Sequence, residues 1–390
     1  MKINLLLYAT LLILPFYKST FTIEVGVATL DPYMIGIILL ALMGLFINIF
    51  SKKTFGFNVL DLFILLFCVT YLCSILLSEN ILSSGYLAVH SIFIPVISYF
   101  VLKSFLISDS IYKRSLFFIL AGIFLFSVIG LAYIGFTGTR EMILNIPPIG
   151  VATFAVFSIC NLVYSGWWKN KFGIVSLALA LLLLFFSFSR VYLLGILGSP
   201  ILYLFVKRGH VVKLFTFIFP FTLILTLLLV VNYDYFKPTK FEASKEKTVE
   251  RVLNIESWKK ALYARAHTYQ EGIKNFKKKP FFGTGLYRGE KVITVHNFHI
   301  EWLEFGGILG YIICTGIFFV YFTLQKVVVK KDKFSTLNLC ILIIILSNSV
   351  TNGIMHGLMP YFVFITMGFG EARRKLVETK IAKKMCLEGS

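Results

Sequence analysis

The chain has 390 residues, of which 58% are hydrophobic and 15% are charged, and it carries a net charge of +19. Its mean hydropathy of +0.84 and its apolar content exceed those of soluble domains, in which about half of the residues are apolar. In a soluble protein this positive charge would suggest nucleic-acid binding. Here the cytoplasmic loops of a membrane protein explain it better, because they collect Lys and Arg and no basic, aromatic-interleaved soluble domain is evident.

Apolar runs of 17–20 residues recur from one end of the chain to the other. Because about 20 apolar residues cross a bilayer as a helix, these runs indicate a polytopic helical membrane protein. A transmembrane barrel would show short alternating segments instead. We predict an all-α integral membrane protein that forms one polytopic domain over residues 1–390, with about twelve transmembrane helices. The predicted spans lie near residues 4–22, 33–50, 59–77, 84–102, 115–135, 147–166, 172–188, 191–206, 213–232, 302–325, 334–351 and 355–370.

Lys and Arg residues are unevenly distributed among the short connections between these spans. One alternate set carries basic residues at every connection, whereas the other set carries only Lys18, Arg140 and Arg190. Short cytoplasmic loops are the ones enriched in Lys and Arg. The pattern therefore predicts that both termini are cytoplasmic and that residues 233–301 form a large external loop.

The cysteines, the first apolar run and two prolines lead to three further predictions. None of the six cysteines shows CxxC spacing, so neither a disulfide framework nor a zinc site is supported. Asn4–Thr22 lacks a small-residue cleavage site and is interpreted as the first span, not as a removed signal peptide. Pro95 and Pro220 lie inside predicted spans and are expected to kink them.

The external loop contains two predicted helices and a tight turn. Ser244–Lys260 is rich in charge and has no proline, and Ala261–Lys277 has apolar residues at helical spacing. Pro280 is expected to stop the second helix. Gly283 and Gly285 follow in a turn, where both can adopt positive φ.

The same loop carries 14 Lys and Arg residues against 8 Asp and Glu residues. Two interpretations remain open at this point. The loop is either a solvated segment attracted to anionic lipid headgroups, or a cradle for a diphosphate at the membrane surface. Arginine suits the second task because its planar guanidinium binds phosphate oxygens in pairs.

Three arginines are candidates for that role. Arg190 lies between two apolar runs, where an arginine either extends to the membrane surface or serves a function, since charges at the membrane edge are costly. Arg265 lies on the second loop helix and Arg288 lies just after the glycine turn. Both could also be merely solvated.

His296 opens a polar segment that includes His299, Glu301 and Glu304. A metal site requires consideration, but the segment lacks the HExxH arrangement that places two histidines around a catalytic glutamate. A histidine that acts as general base is more plausible, because imidazole titrates near neutral pH and can accept a proton from a hydroxyl nucleophile.

His296-Asn297, followed after nine residues by Gly307 and after two more by Gly310, resembles the His-Asn-x9-Gly-x-x-Gly signature of the O-antigen ligase and polymerase superfamily. Ser189-Arg190 resembles the Ser/Thr-Arg pair that this family has at the outer end of a mid-chain span. The resemblance covers roughly residues 170–330, and the first 160 residues match only in hydropathy.

A third landmark lies in the external loop. Arg265, then Pro280 and the turn with Gly283 and Gly285, resembles the family's Arg…Pro-x-x-Gly-x-Gly loop. Each motif alone is weak, but three in the right order and on the predicted outer side are specific.

The resemblance implies a GT-C-like glycosyltransferase that needs neither metal nor cofactor and acts at the outer face of the bacterial inner membrane. Its donor would be a glycan on undecaprenyl diphosphate. Carried over by position, His296 would deprotonate or orient the acceptor hydroxyl, and Arg190 and Arg265 would bind the diphosphate. Positioned cations stabilise a leaving group that carries charge.

The resemblance also makes Arg288, Asn297, His299 and Glu304 candidate substrate-binding residues. Family members differ in acceptor: a polymerase joins lipid-linked repeat units, and a ligase moves the polymer onto the lipid A core. We favour the polymerase slightly, without a decisive residue. A transporter of the same lipid-linked sugar is the competing class, but it would be expected to show charged or broken spans near the middle of the membrane.

Overall fold

The computed structural model describes residues 2–17, 23–25, 28–51, 57–137, 148–187, 190–231, 255–285, 287–288, 291–292, 297–352 and 359–388. These residues are almost entirely helical. The helices are α1 (Lys2–Ile13), α2 (Pro32–Ser51), α3 (Val59–Leu76), α4 (Ile81–Ala88), α5 (Ile94–Phe105), α6 (Asp109–Thr137), α7 (Pro148–Ser165), α8 (Lys171–Ser187), α9 (Arg190–Lys207), α10 (Val211–Val231), α11 (Ile255–Lys278), α12 (Phe298–Val329), α13 (Lys333–Asn352) and α14 (Met359–Glu388). Two short antiparallel hairpins pair β1 (Ile23–Val25) with β2 (Ala28–Leu30), and β3 (Tyr287–Arg288) with β4 (Lys291–Val292).

The helices form a bundle suited to a membrane. Within the described ranges, five helical segments are long and apolar enough to cross a bilayer, and six shorter apolar helices accompany them. Large apolar side chains also face outward, as Leu197 and Phe217 do with 75% and 73% exposure. Such a surface suits hydrocarbon, and helices satisfy their own backbone polar groups there. The predicted all-helical architecture is confirmed and is compatible with a membrane protein, whereas the count of twelve spans and the GT-C type stay predictions.

Two helix ends differ from the sequence prediction. α1 ends at Ile13, well before Thr22, and the chain continues as a single 3-10 turn that contains Pro15, a residue without a backbone donor. α14 continues 18 residues beyond the predicted end at residue 370. Its continuation is stabilised by ion pairs of Arg374 with residues three positions before and four positions after it.

The loop helices were predicted as two, but α11 crosses the predicted division between residues 260 and 261 without a break. No glycine or proline lies between residues 255 and 271, so nothing ends the helix at that division. The predicted residues 244–254 lie outside the described residues. The predicted stop before Pro280 is confirmed, and so is positive φ at Gly283 and Gly285, with values of 73° and 80°.

The predicted span at residues 84–102 is a composite helix. α4 passes through a π-helical turn at Val89–Phe93 directly into α5. Pro95 follows this turn, and a residue without an N–H group is accommodated where the regular hydrogen-bond ladder is already shifted.

α3 and α12 pack against each other and define the two ends of the bundle. Ser74 near the end of α3 donates to the carbonyl oxygen of Phe305 near the start of α12. At the other end, Asn58 caps α3 and donates to Glu371, which also accepts from Gln325 near the end of α12. The two helices are therefore antiparallel, and 18 residues of α3 separate the ends by about 27 Å.

A charged network holds together the end of the bundle that contains Asn58. The fully buried carboxylate of Asp61 accepts from Lys103 and from the hydroxyl of Tyr99. Arg373 bridges Asp332, at 2.6 and 2.9 Å, and Asp109. Each of these charges therefore has an opposite charge beside it, as burial requires.

The pKa of Asp332 shows which effect dominates at this bridge. Burial alone would raise that pKa, but hydrogen bonds from Arg373 and Ser335 outweigh burial and lower it. A depressed folded-state pKa adds stability above the ordinary aspartate pKa, and this stability is lost as the pH falls below it.

We expect Arg373→Met to lower the free energy of unfolding by about 3 kcal/mol, because two carboxylates lose their shared partner. The thermal midpoint of the detergent-solubilised protein measures this loss. Lys326→Met is the matched control, since Lys326 is exposed. Equal midpoints for the two variants would show that the bridge adds no stability.

Candidate functional site: a helix break held by a glycine turn

α12 contains a backbone break at its tenth residue. Gly307 has φ 62° and ψ −164°, far from helical values. The carbonyl oxygens of Glu304 and Phe305, which a regular helix would bond to residues four positions on, instead accept from another segment. Thr284 N donates to Glu304 O at 2.7 Å, and Gly285 N donates to Phe305 O at 3.3 Å.

The donors on the far side of the break are satisfied by the same segment. Ile308 N donates to Pro280 O at 2.8 Å, and Leu309 N donates to Phe281 O at 3.3 Å. The glycine turn is therefore inserted between the two halves of α12 and replaces four backbone partners there. A break inside a membrane protein is tolerated when other protein groups satisfy the freed backbone.

Only glycine fits at the two positions of closest approach. A Cβ atom at Gly307 would lie 2.3 Å from Phe281 O, and a Cβ atom at Gly283 would lie 2.3 Å from Phe305 O. Lys279 attaches the turn to α3 as well, since its Nζ donates to Leu77 O at 2.6 Å. The proline-glycine turn and the second glycine motif of the sequence are thus two halves of one structure.

The start of α12 is anchored to α10. The Asn297 side chain caps the helix by accepting from the backbone N–H groups of His299 and Ile300 at 3.0 and 3.2 Å. Its amide also donates to Thr226 at 3.0 Å. His299 Nε2 lies 3.0 Å from the hydroxyl of Thr222, one turn earlier on α10.

Helix α11 is attached to the same region. Asn275 donates to Glu304 at 2.6 Å, and Gln270 donates to the backbone oxygen of Val230 at the end of α10. α11 therefore contacts both α10 and α12 and covers the break.

Tyr269 connects two of the predicted site residues. Its side chain is buried and forms a hydrogen bond with Asn297. Burial raises the pKa of Tyr269, while the nearby charge of Arg265 and the bond with Asn297 oppose that rise. Arg265 and Asn297 are distant in sequence, and the structure brings both of them close to one tyrosine.

The other predicted residues are described only in part. Arg190 is the first residue of α9. Tyr192, two residues later, lies 2.8 Å from Thr153 and bonds Asn348 near the end of α13, so α9 begins at the same end of the bundle as Asn297. Arg288 belongs to β3, on the connection that leads to α12. The side chains of Arg190 and Arg288 lie outside the described part of the chain.

His296 itself lies outside the described residues, but Asn297, which directly follows it, is fixed as the helix cap. His299 and Glu304 are fully buried. His299 Nδ1 lies 3.0 Å from the hydroxyl of Tyr311. Both side chains therefore bind other parts of the protein, so the geometry favours a positioning role for them over direct substrate contact.

Sequence reasoning missed the residues that hold this site together. Thr222 and Thr226 lie one helical turn apart in an apolar run, and that spacing was a usable signal. Ser74 and Asn275 gave no comparable signal, because their partners are a backbone carbonyl and a carboxylate far along the chain.

A cluster of metal-ligating side chains was the alternative for His296 and His299. The described residues bring together no group of three or more His, Cys, Asp or Glu side chains that could hold a metal ion. His296 is outside that set, so independence from metal stays a prediction.

Comparison with known families agrees with this geometry. Residues 174–315 match the family model described as O-antigen ligase. The match begins in α8 and ends in α12, so it includes Arg190, Arg265, the glycine turn, His296 and the break at Gly307. The resemblance to the O-antigen ligase and polymerase superfamily is confirmed over this region. No curated protein matches the chain.

We expect Gly307→Ala to destabilise the protein. An alanine in this backbone conformation costs about 1–3 kcal/mol in strain alone, and its Cβ would displace Phe281. The adjacent Gly306→Ala is the control, because the nearest atom to its Cβ lies 3.9 Å away, in Tyr71. Thermal midpoints in detergent measure both variants. A Gly307→Ala protein as stable as Gly306→Ala would contradict the inserted-turn arrangement.

Proposed function

We propose that this protein is a glycosyltransferase of surface-polysaccharide synthesis that resembles an O-antigen polymerase. The donor is a glycan on undecaprenyl diphosphate, and the acceptor is a hydroxyl of a second lipid-linked repeat unit. The observation that carries the proposal is the match of residues 174–315 to the O-antigen ligase family. The helix break supports it, because the glycine turn and the segment that begins at His296 meet there.

The transfer step forms one bond, breaks one bond and moves one proton. The acceptor oxygen bonds to the anomeric carbon of the donor sugar, and the bond from that carbon to the diphosphate oxygen breaks. His296 accepts the hydroxyl proton as general base. The electron pair of the broken bond stays on undecaprenyl diphosphate, which leaves as an anion.

Stabilising that anion is the task proposed for the arginines. Arg190 and Arg265 bind the diphosphate, and Arg288 assists them. Positioned cations near a leaving group act throughout the reaction without reorganisation, which makes them effective in a site with little water. This chemistry requires no metal or cofactor.

Asn297 has a second role in this proposal. Its hydrogen bonds to α10, α12 and Tyr269 restrict the backbone that directly follows His296. Tyr269 transmits this restriction to α11, which carries Arg265. The general base and one cation would therefore be held at a fixed separation, as catalysis by positioning demands. His299 and Glu304 support the same arrangement from the interior.

The ligase is the second candidate, because the matched family is described by that activity. The same histidine and arginines would serve it, and only the acceptor would change, to the lipid A core. The transporter gains no support from the match. The break at Gly307 resembles the broken helices of transporters, but the inserted turn already satisfies its backbone.

The proposed location is the bacterial inner membrane, with both termini cytoplasmic and residues 233–301 external. This orientation requires the 233–301 segment and the C-terminal part of α14 to lie at opposite ends of the bundle. α11 and the glycine turn lie at one end, and the network of Asp61, Arg373 and the C-terminal part of α14 lies at the other.

We expect His296→Ala to reduce glycan transfer by about 10²–10⁴-fold, the typical contribution of a general base. Purified wild-type and variant proteins would receive an undecaprenyl-diphosphate glycan with either a second lipid-linked repeat unit or a lipid A core. A ladder on the first acceptor identifies a polymerase, and product on the second identifies a ligase.

His210→Ala is the matched control, because His210 is exposed at the opposite end of the bundle. Full activity of a folded His296→Ala protein would disprove the general-base assignment. Absence of transfer to either acceptor by the wild type would favour the transporter.

We expect Arg265→Ala to lower kcat by about 10²-fold or more, because one cation at the leaving group is removed. Arg265→Lys should recover part of the rate, since it keeps the charge but loses paired hydrogen bonding. Lys274→Ala, an exposed site on the same helix, should retain the wild-type rate. An equal rate for Arg265→Ala and Lys274→Ala would remove Arg265 from the site.

A further inference from the structure

A large cavity lies at the end of the bundle opposite the candidate site. Its volume is about 820 Å³, and it is enclosed by the ends of α2 and α5 and the starts of α1, α3 and α6, with the C-terminal part of α14 along one side. Asp61 near the start of α3 lines it. The length of α3 therefore places the cavity about 27 Å from the inserted turn.

The cavity contains more positive than negative charge. Its lining includes four lysines and two aspartates. Lys103 pairs with Asp61 and Lys380 pairs with Asp109, which leaves Lys375 and Lys383. Neither of these two forms an ion pair with any residue that the structure describes.

The two lysines without ion pairs lie in a row on α14. Lys375, Thr379 and Lys383 are spaced four residues apart, so they share one face of the helix, and all three line the cavity. The cavity thus presents two cations on one face of the helix, and Thr379 between them donates its hydroxyl hydrogen to the backbone oxygen of Lys375. Two cations on the same face suit an anion with several oxygen atoms.

Lys375 is partly buried in the cavity wall. Burial lowers its pKa, and repulsion from Lys103 lowers it further. An anion bound between the two lysines would oppose both effects.

Much of the remaining wall is apolar, although Asn4, Ser104 and Ser108 also line it. Ile47, Phe57, Phe100 and Leu106 line the cavity. Phe57 is 59% exposed, so apolar surface continues from the cavity to the outside of the bundle. A soluble anion would leave this surface unused, whereas an amphipathic anion would cover it with hydrocarbon.

We propose that this cavity binds the phosphate headgroup of an anionic phospholipid, with Lys375 and Lys383 on the phosphate and the acyl chains along Phe57. The lipid joins α14 to α3 and α5 and so stabilises that end of the bundle. The proposal is independent of glycan transfer.

The test measures lipid binding to the purified, delipidated protein. Phosphatidylglycerol and phosphatidylcholine with the same acyl chains are titrated separately, and native mass spectrometry counts the bound lipids while a thermal scan records the midpoint. We expect tight binding of phosphatidylglycerol with a higher midpoint, and neither effect with phosphatidylcholine.

The double variant Lys375→Gln/Lys383→Gln should bind phosphatidylglycerol about thirtyfold more weakly, as expected for two lysines at a lipid surface. Lys326→Gln/Lys331→Gln removes two exposed lysines outside the cavity and should bind as the wild type does. Equal losses in the two double variants would overturn the proposal, because binding would then reflect overall charge.

Inorganic phosphate distinguishes a lipid from a soluble anion. If millimolar phosphate alone raises the midpoint of the wild type but not that of Lys375→Gln/Lys383→Gln, the ligand is soluble and the lipid assignment is wrong. His296→Ala should bind phosphatidylglycerol normally, so failure of this proposal is separable from failure of the transferase proposal.

Discussion

Helix α12 cannot continue past Gly307 unless another segment supplies four backbone hydrogen bonds. The glycine turn at residues 280–285 supplies all four, and each segment approaches the other too closely for any side chain at Gly283 or Gly307. An unsatisfied backbone group in a membrane costs several kcal/mol. The break and the turn therefore depend on each other, and the position of α11, which leads directly into the turn, depends on both.

This dependence explains how a site can be assembled from residues far apart in sequence. The turn fixes the end of α11, and hydrogen bonds from Asn275 and Gln270 fix its course over α12 and α10. Tyr269 then reaches Asn297, the cap of α12. α11 and the glycine turn are thus held by directional polar contacts, whereas the interior of the bundle is held by apolar packing with aromatic groups such as Phe67, Tyr71 and Trp302.

The two ends of the bundle use charge differently. At the end with Asp61 and Arg373, acids and bases are paired within the protein and join helices that lie far apart in the chain. At the end with the inserted turn, the described contacts are mainly hydrogen bonds of neutral groups, and cations are carried by α11 and the segments around it. Pairing at the first end suits a structural role, with Lys375 and Lys383 as the exceptions. Among the described side chains of α11, Arg265 and Lys274 form no ion pair with another described residue, which supports the proposed binding of an anionic substrate there.

The sequence by itself determined the helical membrane architecture, because the length and apolarity of a span are local properties that the bilayer dictates. It also determined the glycine turn, since Gly283 and Gly285 can adopt positive φ without cost and Pro280 cannot continue a helix. The three motifs were visible as residue types at fixed spacing, but the sequence did not show which of them contact one another. The end of α1 and the continuity of α11 were misjudged, because helix ends depend on single residues and weak capping preferences.

Only the tertiary structure decided that the turn is inserted into α12, since the hydrogen bonds between them join backbone groups, which carry no signal in the side-chain sequence. Tertiary contacts also decided that His299 and Glu304 face the interior, where Thr222 and Asn275 bind them. A charged or polar residue in a sequence looks the same whether its partner is a substrate or a distant helix. The physical reason is that pairing depends on distance in space, and the fold alone sets that distance.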